Sequence, residues 1–118
     1  MRKFHEFDMT DYGISKYEAL ELKYFCLSYP DKIKRLNELA DKEELTDEQR
    51  EEFKRIEKDV KAIHAAVQLA VGGQVGLYQP LLRNLTVNES IEKMPCGKNQ
   101  AYTFRKRAFL MLSRMKKK

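Results

Sequence analysis

Hydrophobic residues recur along most of this chain at spacings of three and four, the period of an α-helix that buries one side. The clearest run is Phe53, Ile56, Val60, Ile63, Val67 and Ala70, an a/d seam with lysines and glutamates elsewhere around the cylinder. Thr46-Asp47-Glu48-Gln49 opens that helix as a capping box, and Gly72-Gly73 closes it. Upstream, Ser15-Lys16-Tyr17-Glu18 is a second capping-box signature. The helix it starts is expected to bury Tyr17, Leu20, Tyr24 and Leu27, and Pro30 marks its end. Another helix is expected from Pro30-Asp31, with Ile33, Leu36, Leu39 and Ala40 on one face, followed by a charged connector from Asp41 to Leu45. Residues 1–13 carry no period and read as an irregular arm.

Past the glycines, Val75 to Leu85 reads as a further helical piece with Pro80 in its first turn. Thr86-Val87-Asn88-Glu89 offers a cap for a short helix through Ile91 and Met94, which Pro95-Cys96-Gly97 breaks. The last helix is expected from Lys98 to Arg114, with Lys116 to Lys118 frayed. No alternating run is long enough for a strand, and no repeat is visible. The pattern predicts an all-α fold: an arm over 1–13, a helical body over 14–71, and a helix-turn-helix with a basic C-terminal helix over 74–118. A chain of 118 residues suits one modest core.

Charge changes this picture by its distribution more than by its sum. The net charge is +5, yet residues 93–118 hold nine Lys or Arg and no Asp or Glu, which leaves 14 basic and 18 acidic side chains in the other 92 residues. A mildly acidic body with a strongly basic end is the electrostatic footprint of a polyanion-binding element. No apolar run approaches the ~20 residues of a membrane span. The N-terminus has no apolar signal core, so a cytoplasmic location with no membrane partner is expected. In that setting Cys26 and Cys96, which lie outside any metal-ligand spacing, are read as reduced thiols.

The residues give no support for catalysis. His5 and His64 have no partner at catalytic or metal spacing, and His64 is read as a structural imidazole. Gly72-Gly73-Gln74-Val75-Gly76 lacks the Lys-Ser/Thr and the preceding strand of a phosphate loop. Ser113 sits on a crowded helix with no elbow-type turn. The expectation is no enzyme, no cofactor and no metal.

The arrangement that carries chemistry is short helix, tight turn, basic helix: Glu89 to Met94, Pro95-Cys96-Gly97, then Lys98 onward. Projected at about 100° per residue, the last helix gathers Ala101, Tyr102, Phe104, Ala108, Phe109, Met111, Leu112 and Met115 on one side. Asn99, Thr103, Lys106, Arg107 and Arg114 gather opposite, with Gln100 at the margin. Lys98, Asn99, Gln100, Thr103, Lys106, Arg107, Arg114, Lys116 and Lys117 are therefore the candidate nucleic-acid contacts. Amides pair with adenine, guanidinium groups with guanine, and cations clamp phosphates. Ile91, Met94, Arg105 and Leu112 are expected to support the motif. Arg105 falls in the apolar arc and is expected to meet Glu89 or Glu92, while Leu110 on the polar side reads as a stray exposed residue.

The run Met94 to Leu112, with its Pro, small turn and aromatic pairs around Arg105-Lys106-Arg107, resembles the C-terminal signature of small phage-encoded proteins of Gram-positive hosts. Tyr17 to Cys26 resembles their start, and the likeness is weaker from Asp31 to Arg55. Those proteins are similar to late-gene transcription regulators of the ArpU/RinA type, whose C-terminal half is like the helix-turn-helix of sigma factors. The resemblance implies that Ile91 and Met94 sit in the core of the first motif helix and that Thr103, Lys106 and Arg107 face DNA. Ala101 and Ala108 depart from the pattern, which has bulky aromatics there.

The expected partner is double-stranded DNA, read in sequence-specific fashion by a phage-type transcriptional regulator, with RNA polymerase or another protein as a further partner. Two other roles fit the same pattern: a helical adaptor or inhibitor of a host nucleic-acid machine, and a small terminase-like DNA-recognition subunit. The seam Phe53, Ile56, Val60, Ile63 and Val67 has two uses open to it, a homodimer contact or cover for the chain's own helices.

Overall fold

The computed structural model describes Met9 and residues 12–116. Within them the fold is all-α: α1 (Lys16–Leu27), α2 (Tyr29–Ala40), α3 (Asp47–Val71), α4 (Tyr78–Thr86) and α5 (Lys98–Lys116). Most of the arm expected over 1–13 lies outside the described residues, as do Lys117 and Lys118. Met9 is an exception and a surprise: it is 1% exposed, a core residue within a segment that has no period to announce it.

Local chemistry sets the boundaries. Ser15 Oγ accepts from Glu18 N at 3.1 Å to start α1. Ser28 ends α1 and begins α2 with no loop between them, and Pro30 sits in the first turn of α2, where its missing N–H costs nothing. The expected capping box of α3 is complete: Thr46 Oγ1 accepts from Gln49 N at 3.1 Å, and Thr46 N donates to Gln49 Oε1 at 3.0 Å. Gly72 stops α3 at φ +57°, a conformation that glycine adopts without strain. The last helix runs on through Lys116 instead of fraying after Arg114.

Two expectations change here, and one open choice narrows. The buried face of α1 is Ala19, Leu22 and Cys26, whereas Tyr17 and Tyr24 are 77% and 65% exposed. Small side chains let the α1 backbone approach α4 and α5 closely, and the bulky tyrosines turn outward. The short helix through Ile91 is a single 3-10 turn, Ile91–Lys93, capped by Ser90 rather than Thr86. Thr86 closes α4 instead, its hydroxyl donating to Leu82 O at 2.7 Å. Of the two uses open to the α3 seam, cover for the chain's own helices is the one seen here. Ile63 and Val67 are 0% exposed and Val60 is 9% exposed, so these three are spent on the chain's own packing, while Phe53 and Ile56 are half-buried along α2.

One core joins the body to the C-terminal segment. It draws Ala19, Leu22 and Cys26 from α1, Ile63, Val67 and Ala70 from α3, Leu81 and Leu85 from α4, and Phe104, Phe109 and Leu112 from α5. No residue between Cys26 and Ile63 belongs to that buried cluster. Instead, α2 and the first half of α3 pack on each other as an arm, with Leu39 fully buried between them, and the molecule measures 57 × 28 × 24 Å.

Candidate nucleic-acid interface

Helix α5 has an interior half and an exterior half. Ala101, Phe104, Arg105, Ala108, Phe109, Leu112 and Ser113 are buried. Lys98, Asn99, Gln100, Arg107, Arg114 and Lys116 are exposed, and Thr103 and Lys106 are half-buried. Asn99, Thr103, Arg107 and Arg114 share one side of α5 as a stripe, whereas Lys98 and Lys116 are exposed at its two ends on the side that buries Arg105 and Phe109, and Lys117 lies outside the described residues. The first turn offers one cation and two amides where the positive end of the helix dipole adds to them. Thr103 is partly committed, since its hydroxyl donates to Asn99 O at 2.9 Å. Lys116 also has a second role, because its ammonium lies 4.7 Å from the Phe25 ring on α1. Leu110 is no stray: it is half-buried and packed against the core.

Arg105 corrects the expected pairing. It is 3% exposed, and its Nη1 donates to Asn84 Oδ1 and, at 3.5 Å, to Asn84 O on α4. Among the described residues Glu89 pairs instead with Arg83 at 3.4 Å, and Glu92 stands exposed on the 3-10 turn. Asn84 was missed in the sequence, although an amide set among Leu81, Leu82 and Leu85 is the signal of a buried polar partner. Its Nδ2 donates to Glu89 O at 2.7 Å, so one buried side chain fixes both α5 and the connector that leads to it. Ile91 packs against the core from that connector, and Met94 (4% exposed) and Leu112 (0%) are core residues. The segment 87–97 joins α4 to α5, which is longer than the tight turn expected.

The far end of α5 is fastened to α1. Ser113 Oγ donates to Glu18 Oε2 at 2.5 Å across 95 residues of chain. Also on α1, the Cys26 thiol is pushed up to about 12 by burial, against the pull of Arg105, Lys32 and Lys116, and stays protonated.

Electrostatically, α5 differs from α1, α2 and α3 in carrying no carboxylate, although exposed cations without an ion pair among the described residues, such as Lys34, Lys54 and Lys58, also occur on the arm. On the arm, Arg35 makes a two-pronged pair with Glu52 at 2.9 and 3.0 Å, Lys32 meets Asp59 at 3.2 Å, and Arg50 meets Asp47 at 3.2 Å. Among the described residues, Lys98, Arg107, Arg114 and Lys116 enter no ion pair. Their charge is therefore available to an outside polyanion.

His64 lies on α3 between two tyrosines. Its Nε2 is 2.8 Å from Tyr29 Oη, and its Nδ1 bonds to Tyr78 Oη, tying the starts of α2 and α4 to the middle of α3. Burial raises both tyrosine hydroxyls above their usual values. Both ring nitrogens are occupied by these contacts. Among the described residues no group of three His, Cys, Asp or Glu is placed to hold a metal, and no helix is long and apolar enough to cross a membrane. The chain matches no protein-family model, no curated protein and no solved structure.

Proposed function

We propose that this chain binds double-stranded DNA through the exposed stripe of α5, and that it does so as a sequence-reading regulator of the phage type. The observation that carries the proposal is the set of exposed α5 cations, Lys98, Arg107, Arg114 and Lys116, which no carboxylate neutralises among the described residues. Base reading falls to Asn99 and Gln100 in the first turn, the part of a recognition helix that approaches base edges. Arg107 and Arg114 contact phosphates. Helix α4 acts as the support behind α5 through Asn84 and Arg105, the part that the first helix plays in a helix-turn-helix.

Fluorescence anisotropy of a labelled duplex, repeated as salt is raised, tests this. Neutralising about four phosphates gives a log–log salt slope of about −3 to −4. Arg107→Gln with Arg114→Gln should flatten that slope by about two without changing sequence preference. Asn99→Ala or Gln100→Ala should alter preference and leave the slope unchanged. Affinity independent of salt, or no binding at about 50 mM salt, would overturn the proposal.

A further inference from the structure

The free end of the arm has a surface of its own. The last turn of α2 and the start of α3 enclose a shallow hollow of about 570 Å³, lined by the apolar Leu45 and Phe53 and edged by Glu43, Glu44, Lys42 and Arg50, the last of which is paired with Asp47 at 3.2 Å. From Glu38 to Glu52 the chain holds eight carboxylates and two cations, a net of −6. Asp41, Glu43, Glu44, Glu48 and Glu51 are exposed and enter no ion pair among the described residues. The end of α2 sharpens the field. Its last turn contains no basic residue, and its C-cap is Asp41, which adds a carboxylate to the negative end of the helix dipole. A cation would relieve that mismatch, and within this end of the arm only Lys42 stands free to do so. The arm is also held in shape before any partner arrives, by the two-pronged Arg35–Glu52 pair and the Thr46–Gln49 capping box.

We infer that the hollow at the end of the α2/α3 arm docks a cationic amphipathic helix of another protein, an apolar side chain entering between the half-buried Leu45 and Phe53 while flanking lysines or arginines meet Glu43, Glu44 and Asp41. An apolar anchor ringed by opposite charge is the usual anatomy of such a contact: the anchor supplies affinity, and the charges supply encounter rate and selectivity. The surface is independent of the α5 stripe, so the chain would join a nucleic acid at one face to a protein at the other.

A Leu/Lys amphipathic peptide of about 14 residues bearing one Trp is a suitable probe, because the chain itself contains no Trp and the signal belongs to the peptide alone. The full chain should bind it at about 0.15 M salt, where exposed charges act only over about 8 Å. Glu43→Lys with Glu44→Lys should weaken binding about tenfold or more while circular dichroism stays unchanged, since both side chains are exposed. Leu45→Ser, a change in the connector that interrupts no helix, should weaken it about fivefold. Equal binding of an all-Lys peptide, or indifference to either variant, would overturn the inference. So would self-association of the chain that the same two variants abolish, because the occupant would then be a second copy. The two readings fail separately: Lys98→Gln with Arg107→Gln should lose DNA and keep the peptide, and the Glu43/Glu44 variant should lose the peptide and keep DNA.

Discussion

The arm and the body of this protein are held together by different forces. In the body, α1, α4, α5 and the second half of α3 interlock through fully buried side chains such as Leu22, Ile63, Leu81, Phe109 and Leu112. The arm buries Leu39, with Val60 9% exposed, and gains its definition from Arg35–Glu52 and Lys32–Asp59. Apolar burial is non-directional and indifferent to salt, whereas exposed ion pairs are directional, screened and weak. The body should accordingly behave as one cooperative unit, and the arm as a locally opening one. The difference extends to what each region offers its surroundings: the arm carries charges of both signs, with an acidic free end, while α5 carries cations and no carboxylate.

The largest expected effect tests whether one seam serves both regions. Ile63→Glu places a carboxylate in the body core and should abolish the folded circular dichroism signal, since the penalty rivals the roughly 5–15 kcal/mol stability of a small domain. Ile56→Glu, half-buried on the arm, should leave the body folded and only hasten hydrogen exchange in α2. If both variants unfold alike, the arm is part of the body. Next in size is Asn84→Leu, which removes the amide that Arg105 and the 87–97 connector share; it should cost about 1.5–3 kcal/mol for the hydrogen bond to a charged group, read as a lowered denaturation midpoint.

Acid and alkali should separate the regions in opposite directions. The Arg35 hydrogen bond holds Glu52 below its ordinary value of 4.5, so its contribution is present above that value and is lost as pH falls through the depressed one. Acid should loosen the arm first, seen as earlier amide exchange in α2. In the body, burial raises Cys26 from 9.0 to about 12, so its contribution is full below pH 9 and is lost as pH climbs through 12. Alkaline unfolding should begin above pH 9 and shift upward in Cys26→Ala. The smallest effect is that of salt, which should speed exchange in the arm slightly through its screened pairs and leave the body unmoved.

Sequence and structure agree for most local signals, the Thr86 cap that Ser90 replaces being an exception. The Thr46–Gln49 capping box, the stop at Gly72, Pro80 in the first turn of α4 and the two-sided pattern of α5 all follow from neighbours within a few positions. The other failures are tertiary. Period alone does not say that Ala19 and Cys26 would outrank Tyr17 and Tyr24 on α1, because the choice depends on how closely α4 and α5 approach. A guanidinium on an apolar face points to a carboxylate, with Glu89 and Glu92 at hand in the preceding segment, yet the structure brings the Asn84 amide, 21 residues away, onto Arg105. Met9 had no periodic context at all. The stripe on α5 was legible because charge and period coincide there, whereas the hollow on the arm was not, since its lining joins residues from two helices and the loop between them.

The reach of the Ser113–Glu18 contact has a consequence for synthesis on the ribosome. It closes 95 residues of chain, and the buried face of α1 rests on helices made after it. The body therefore has to wait for α5 to emerge, with Leu22 and Cys26 lacking their cover until then. The arm needs only partners 17 residues apart for Arg35 and Glu52, so it can assemble while translation continues. Its carboxylates would then keep the nascent chain soluble until the apolar half of α5 arrives to cover α1.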